Sequence, residues 1–232
     1  MKKTSIWRDK AETTNFDCLR GNVTADAAII GGGITGITSA YLLGKAGLNT
    51  VVLESLRVGG GTTGFSTGNL YCTVDEYLHS IKSKYGKDKL KTLVQSRVGA
   101  VDLIRNIVQE FNIDCELTDA PFYFFAESEE GIKKVDKEAE AAQDAGLNVS
   151  FEKEIGLPFN VSKAMKLPSQ AQFNPMKYVK QLSTSIHGNL CTIYEGTKVK
   201  EYKEENDLYT ITTKEGTVTA RHILLATHTP KG

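Results

Sequence analysis

The sequence has no excess of either charge, with 28 Lys plus Arg set against 28 Asp plus Glu. Without a net field, neither nucleic acid nor an anionic membrane is an expected partner. Cysteine is scarce: Cys18, Cys72, Cys115 and Cys191 are scattered and form no Cys-x-x-Cys or Cys-x-His pair. That argues against a zinc or iron–sulfur site and for a reducing compartment. The expectation is four buried or inert thiols and no metal, though two of them could still meet in space. No apolar run reaches the length of a membrane span. Arg8, Asp9 and Lys10 follow Met1-Lys2-Lys3 before any signal-peptide core can form, so a cytosolic protein is expected. Histidine is also rare, and His79, His187 and His222 have no visible acid–base partner. Internal repeats and low-complexity tracts are missing too. At 232 residues the chain has room for one large or two small domains.

Glycine, in contrast, is concentrated where it informs. Residues 27–54 read as strand, glycine turn, helix and second strand, with Glu54 closing the last. Gly31, Gly33 and Gly36 satisfy G-x-G-x-x-G, and Glu54 follows Gly31 by 23 positions. This is the pattern of a dinucleotide site. Gly31 permits the tight turn, Gly33 lets the backbone approach a pyrophosphate, and Gly36 lets helix and sheet pack closely. The pyrophosphate would lie on free N–H groups where the helix begins, at Ile34 and Thr35. Glu54 can accept hydrogen bonds from an adenosine ribose. Ala27 to Ile30 suits a buried parallel strand, Gly47 supplies the helix stop, and Gly44 inside the helix implies a close neighbour. On these residues alone FAD and NAD are both admissible.

The segment 55–69 holds five glycines among Thr and Ser, and reads as a compact loop rich in N–H and hydroxyl donors. Helices are expected over 74–85 and 88–111, the second with apolar residues at three- and four-residue spacing and Gly99 not ending it. Strands are expected over Ile113–Thr118, Phe122–Ala126 and Val149–Phe151, with a charged helix from Ile132 to Gly146. The aromatic run Phe122-Tyr123-Phe124-Phe125 is read as core or sheet face, or as the wall of a substrate pocket. Asn174-Pro175 opens a helix to about Ile186. Strands follow at Thr192–Tyr194, Val199–Tyr202, Leu208–Thr213, Val218–Ala220 and Ile223–Ala226. Turns at Asn206-Asp207 and Glu215-Gly216 make a meander. The unbroken apolar run Ile223–Ala226 implies a fully buried strand, and residues 1–24 read as a surface arm.

The order of these elements resembles the flavin oxidoreductases of the D-amino-acid oxidase and glycine oxidase superfamily. The resemblance is carried by the opening βαβ with Glu54, Gly60-Gly-Thr-Thr-Gly64 with Thr67 and Gly68, and Gln172-Phe-Asn-Pro-Met-Lys-Tyr178. It continues through Tyr194-Glu-Gly-Thr-Lys-Val199, the meander and Leu224-Leu-Ala-Thr227. The arm with Trp7 and Phe16 is most similar to members whose flavin part can precede a Rieske domain. No Rieske ligand pair occurs in this chain.

The resemblance implies an α/β fold: a Rossmann-like FAD-binding domain of glutathione-reductase type with a β-meander, from 1–112 and 173–232, and a partial α+β substrate domain over 113–172. It implies that Gly31, Gly33, Ile34, Thr35 and Gly36 hold the FAD pyrophosphate and Glu54 the ribose. Gly61, Thr62, Thr63 and Thr67 would contact the pyrophosphate or ribityl region, Val199 the adenine edge, and Ala226 and Thr227 the cofactor's passage. His228 stands where that stretch commonly has glycine. The implied reaction is hydride transfer from a small amine or amino-acid-like substrate to flavin, with oxygen or an iron–sulfur protein as electron acceptor. No catalytic residue is assigned, because a neutral amine can release hydride without a strong base. The superfamily normally continues beyond Gly232, so this chain is expected to be an N-terminal portion. A nicotinamide-dependent dehydrogenase and a non-catalytic nucleotide-binding fragment are the alternatives.

Overall fold

Ala27 to Ile30 are apolar on both faces of the chain and end up fully buried, as does every residue of Thr50–Leu53. They belong to β1 (Gly21–Ile30) and β2 (Thr50–Leu53), which pair in parallel with Ala27 opposite Thr50 and Ile30 opposite Leu53. A one-turn helix α1 (Ile6–Asp9) precedes them, and α2 (Ile34–Lys45) crosses between them, burying Ile37, Ala40 and Tyr41. Gly44 has the close neighbour its position implies: a Cβ there would meet the Leu190 carbonyl at 2.3 Å. Gly47 ends the helix with φ +85°, a conformation open to glycine at little cost. In this computed structural model, residues 4–9 and 13–228 are described. Of the expected surface arm, residues 1–3 and 10–12 lie outside that set. The rest lies mostly at the surface but is anchored, with Thr14 and Leu19 buried.

The chain then builds a second compact unit from Gly68–Gln109 and Glu116–Phe173. Its elements are β3 (Asn69–Leu70), α3 (Leu78–Tyr85), α4 (Lys87–Glu110), β4 (Thr118–Asp119), β5 (Phe122–Ala126), α5 (Glu129–Asp144), β6 (Ser150–Glu152), β7 (Lys163–Leu167) and β8 (Ala171–Gln172). Two three-stranded antiparallel sheets result, ordered β3-β8-β4 and β5-β7-β6. Leu78, Leu90, Val94, Val135, Ala139, Ala142, Met165 and Leu167 form the core, with Phe122 and Phe124 packed against it. The aromatic run is thus divided by the period-2 alternation of a strand. Tyr123 instead donates to Glu152 Oε2 at 2.9 Å, and Phe125 meets Phe159 at 5.9 Å. The strand expected over Ile113–Thr118 is not formed; only Thr118–Asp119 is extended. Asn112 and Glu116 adopt φ of 49° and 56°, which no ladder accommodates.

Asn174 starts α6 (Pro175–Ile186) as expected, its Oδ1 accepting from Met176 N at 3.2 Å and Lys177 N at 3.1 Å. There follow β9 (Cys191–Tyr194), β10 (Glu201–Glu205), β11 (Leu208–Thr212) and β12 (Gly216–Leu225). These complete the first unit, whose sheet is ordered β10-β11-β12-β1-β2-β9. Asn206 and Asp207 join β10 to β11 with φ of 52° and 60°, the two positive values of a type I′ hairpin turn. Val218–Ala220 and Ile223–Ala226 are not separate strands, because β12 runs unbroken beside β1. Nor is its end fully buried. The β11 ladder stops at Ala220, so beyond it β12 has a partner on one side only, and Leu224 is 36% exposed.

The first unit comprises Met1–Thr67, Glu110–Cys115 and Asn174–Gly232. The sequence boundary instead grouped residues 68–109 with it. None of the four cysteines forms a disulfide, but Cys18 is only half-buried, unlike the other three. Among the described residues no helix is long and apolar enough to cross a membrane.

Candidate functional site

The turn between β1 and α2 is built so that only glycine fits at two of its positions. Gly31 has φ +114°, and a Cβ there would lie 2.5 Å from the Ala226 carbonyl oxygen. At Gly36 a Cβ would come within 1.9 Å of the Gly31 carbonyl oxygen. Gly36 therefore locks the helix onto its own turn as well as onto Ile29 of the sheet. Gly33 is the helix N-cap and offers no side-chain cap, and the first turn of α2 carries no acid. Ile37 N takes the first intrahelical bond, to Gly33 O at 3.0 Å, and Ile34 N donates to Thr63 Oγ1 at 3.0 Å. The N–H groups of Thr35 and Gly36 are left without a carbonyl one turn back. That end of the helix carries partial positive charge and suits an anion.

Glu54 faces this terminus in a fixed posture. Its Oε2 accepts from Gly32 N at 2.7 Å, and Oε1 accepts from Leu56 N at 2.8 Å and Ser55 Oγ at 3.2 Å. A carboxylate has about four acceptor positions, so about one remains for a ligand hydroxyl. Around these groups lies a cleft of about 390 Å³. It brings together Gly31, Gly33, Ile34, Thr35, Glu54, Gly61, Thr62, Thr63, Ala226 and Thr227. Among the described residues no lysine or arginine lines it, so a phosphate there would be met by amides, hydroxyls and the helix terminus.

Three of the residues singled out from sequence stand outside the lining. Gly36 lies beneath the turn, Thr67 is exposed nearby, and Val199 packs its side chain against the sheet core. Four lining residues were missed: Ser55, Leu56, Ser66 and His228. His228 adopts φ +66°, the left-handed conformation that glycine enters most freely.

Beside the cleft, Glu195 ties three segments together. Its side chain is wholly buried, and both carboxylate oxygens are occupied. Oε1 accepts from Val58 N at 2.6 Å and from the Thr14 hydroxyl, while Oε2 accepts from Arg57 at 2.8 Å and Phe16 N at 3.1 Å. Burial alone would raise its pKa. The donors from Thr14, Val58, Arg57 and Phe16 outweigh that and hold the carboxyl below its ordinary value. Thr197 continues the tie, accepting from Leu19 N at 3.0 Å through Oγ1 and donating its own N–H to Glu54 O at 2.8 Å. The arm residues 14–19 and the strap 56–58 are thereby fixed to the backbone that carries Glu54. Glu195 lay in a recognised motif, but nothing in a lone sequence carboxylate reveals that its four donors come from distant segments.

A parallel βαβ unit with a glycine turn, an open helix N-terminus and an acid closing the second strand defines a dinucleotide-binding protein of Rossmann type. Residues 26–229 match the family DAO, described as FAD dependent oxidoreductase. The chain belongs to that family, whose cofactor is FAD. It is 30% identical over 226 residues to the "Putative Rieske 2Fe-2S iron-sulfur protein YhfW" of Bacillus subtilis (strain 168), covering 97% of this chain and 44% of that protein. It is 25% identical to the gamma-glutamylputrescine oxidoreductase of Escherichia coli (strain K12), over 91% of this chain and 50% of the relative. The fold is shared with glycine oxidase from Geobacillus kaustophilus at TM-score 0.73 and 21% identity, covering 88% of this chain and 55% of that one. The L-amino acid deaminase from Proteus myxofaciens matches at TM-score 0.75 and 17% identity, covering 97% and 49%. The chain spans about half the length of the curated relatives it matches.

The residues present fit an FAD. An uncapped helix terminus without a local acid suits the pyrophosphate, the held carboxylate of Glu54 suits a ribose hydroxyl, and the two glycines leave no room for a side chain at the turn.

Proposed function

We propose that this chain is the cofactor-binding part of an FAD-dependent oxidoreductase that takes a hydride from a small amine or amino-acid-like substrate. The observation that carries the reading is the uncapped start of α2 facing Glu54, Thr62 and Thr63 across one cleft. In this reading the Thr35 N–H group and the Thr62 and Thr63 hydroxyls hold the pyrophosphate, and Glu54 orients the adenosine ribose. Val199 contributes backbone near the adenine, and Ala226 and Thr227 border the cofactor's path. The first unit is the FAD-binding domain, and the second contributes to the substrate domain. When bound, the flavin supplies the two-electron acceptor that converts a C–H beside nitrogen into an imine. Amine and amino-acid substrates are supported by the names of the relatives, among them gamma-glutamylputrescine oxidoreductase and glycine oxidase. The relative named for a Rieske cluster favours an iron–sulfur protein over oxygen as the onward acceptor. A reducing compartment such as the cytosol suits four cysteines that form no disulfide.

The test is to add FAD to purified protein, desalt it and record the visible spectrum, then add amines without oxygen. Retained flavin absorption that bleaches with glycine, proline or a polyamine supports both binding and chemistry. Retention without bleaching by any amine removes the catalytic assignment for this chain, and loss of flavin on desalting removes the cofactor assignment.

A further inference from the structure

The second unit holds a pocket of about 250 Å³ between residues 71–77, β5 and α5. Its walls are mainly the rings of Tyr71, Tyr77, Phe122 and Phe124, with Asp75 and Glu138 as its carboxylates. Ring faces are electron-rich, and carboxylates beside them favour a positive guest over an anion or a neutral one. Glu138 is buried and already receives Leu78 N at 2.7 Å and His79 Nδ1 at 2.6 Å. Asp75 is exposed and forms no ion pair among the described residues.

The chain itself displays the preference. The Lys134 ammonium stands 3.8 Å from the Tyr77 ring centroid and 6.0 Å from that of Phe124. It pairs with no carboxylate among the described residues, although Glu138 follows one turn later on α5. An exposed lysine free to extend into water has settled on a ring face instead. The ring is also held for the purpose. Tyr77 adopts φ 62° and ψ 139°, a strained backbone for an aromatic residue, and its ring stacks on His79 at 5.6 Å. His79 is in turn fixed by Glu138. Strain, stack and buried carboxylate together keep the Tyr77 face presented.

We infer that this pocket binds a small organic ammonium ion, and that Lys134, which lies outside the lining but over the Tyr77 ring, competes with the guest for that ring. The volume suits an ammonium head group with a short alkyl substituent and is too small for a nucleotide. Every lining residue belongs to the second unit, so the inference does not depend on what the dinucleotide cleft holds.

The experiment titrates tetramethylammonium chloride into the full chain by NMR, with sodium chloride at equal ionic strength as the blank. Wild type should show saturable shifts of aromatic resonances. Lys134→Ala, at an exposed position, should tighten binding roughly threefold by removing the internal competitor. Asp75→Asn and Phe124→Leu should each weaken it at least fivefold. Should Phe124→Leu fail to fold, Asp75→Asn at its exposed site decides alone. Binding to Lys134→Ala that equals or falls below wild type overturns the inference, as does the lack of saturable binding in both proteins.

Discussion

Removing the Glu195 carboxylate should cost more stability than any nearby ion-pair count suggests. In Glu195→Ala the Thr14 hydroxyl and the N–H groups of Phe16 and Val58 lose their acceptor in a buried site. Arg57 loses one too, but its side chain is 55% exposed and can turn to water. At ~1 kcal/mol or more for each of the three stranded donors, the loss is about 3–5 kcal/mol. For a chain of this size that lowers Tm by roughly 10 °C. Arg57→Ala, which leaves the buried carboxylate with three donors but no counter-charge, should cost less, about 1–2 kcal/mol. Glu195→Gln falls between them, since its amide nitrogen must face a donor. Urea unfolding by circular dichroism at pH 7 ranks the three. The sign with pH follows from the lowered pKa. The stabilising effect is complete above the ordinary value of 4.5 and drains away as pH falls through the lower folded value. The gap between wild type and Glu195→Gln should therefore close below that point. Equal losses for Glu195→Ala and Arg57→Ala, or a gap that persists in acid, would refute the reasoning.

Gly36→Ala sets a Cβ 1.9 Å from the Gly31 carbonyl and should destabilise the first unit by about 1–3 kcal/mol, read by thermal melting. Asp207→Gly should raise stability by about 0.5–1 kcal/mol in the same assay, because Asp207 holds φ 60°, and relief of that left-handed strain (about 1–2 kcal/mol) exceeds the flexibility glycine adds to the unfolded chain (about 0.5–1 kcal/mol). Burial pushes the Cys191 thiol up to about 12 and raises that of Cys72, whereas Cys18 is half-buried. Iodoacetamide at pH 8 should therefore label Cys18 first in native protein, with Cys72 and Cys191 labelled only on unfolding, as read by peptide mass spectrometry.

That Gly31, Gly33 and Glu54 share one cleft was legible because its determinants are local. They lie on one βαβ unit, and spacing alone fixes their neighbourhood. Asn174-Pro175 and Asn206-Asp207 were legible for the same reason, since cap and turn chemistry act within a few residues. What failed was long-range or positional. The apolar run Ile223–Ala226 looked like a buried strand, but burial depends on which partners cover it, and β11 ends too early. Ile113–Thr118 had strand composition, yet Glu116 inside it and Asn112 just before it adopt positive φ and broke it. The polar arm read as surface, and its anchoring was missed because its partners, Glu195 and Thr197, lie more than 170 positions away. The ammonium pocket draws on segments around 71–77, 122–124 and 134–138, whose meeting no periodicity announces.

The central claim is that the cleft between Gly31, Glu54 and Thr63 takes the adenosine-diphosphate half of FAD. Calorimetric titration with FAD, ADP and FMN tests it most directly. The account predicts one site per chain for FAD, competition from ADP, weaker FAD binding in Glu54→Gln, and no competition from FMN. FAD binding that FMN displaces and ADP does not, or affinity unchanged in Glu54→Gln, would contradict it.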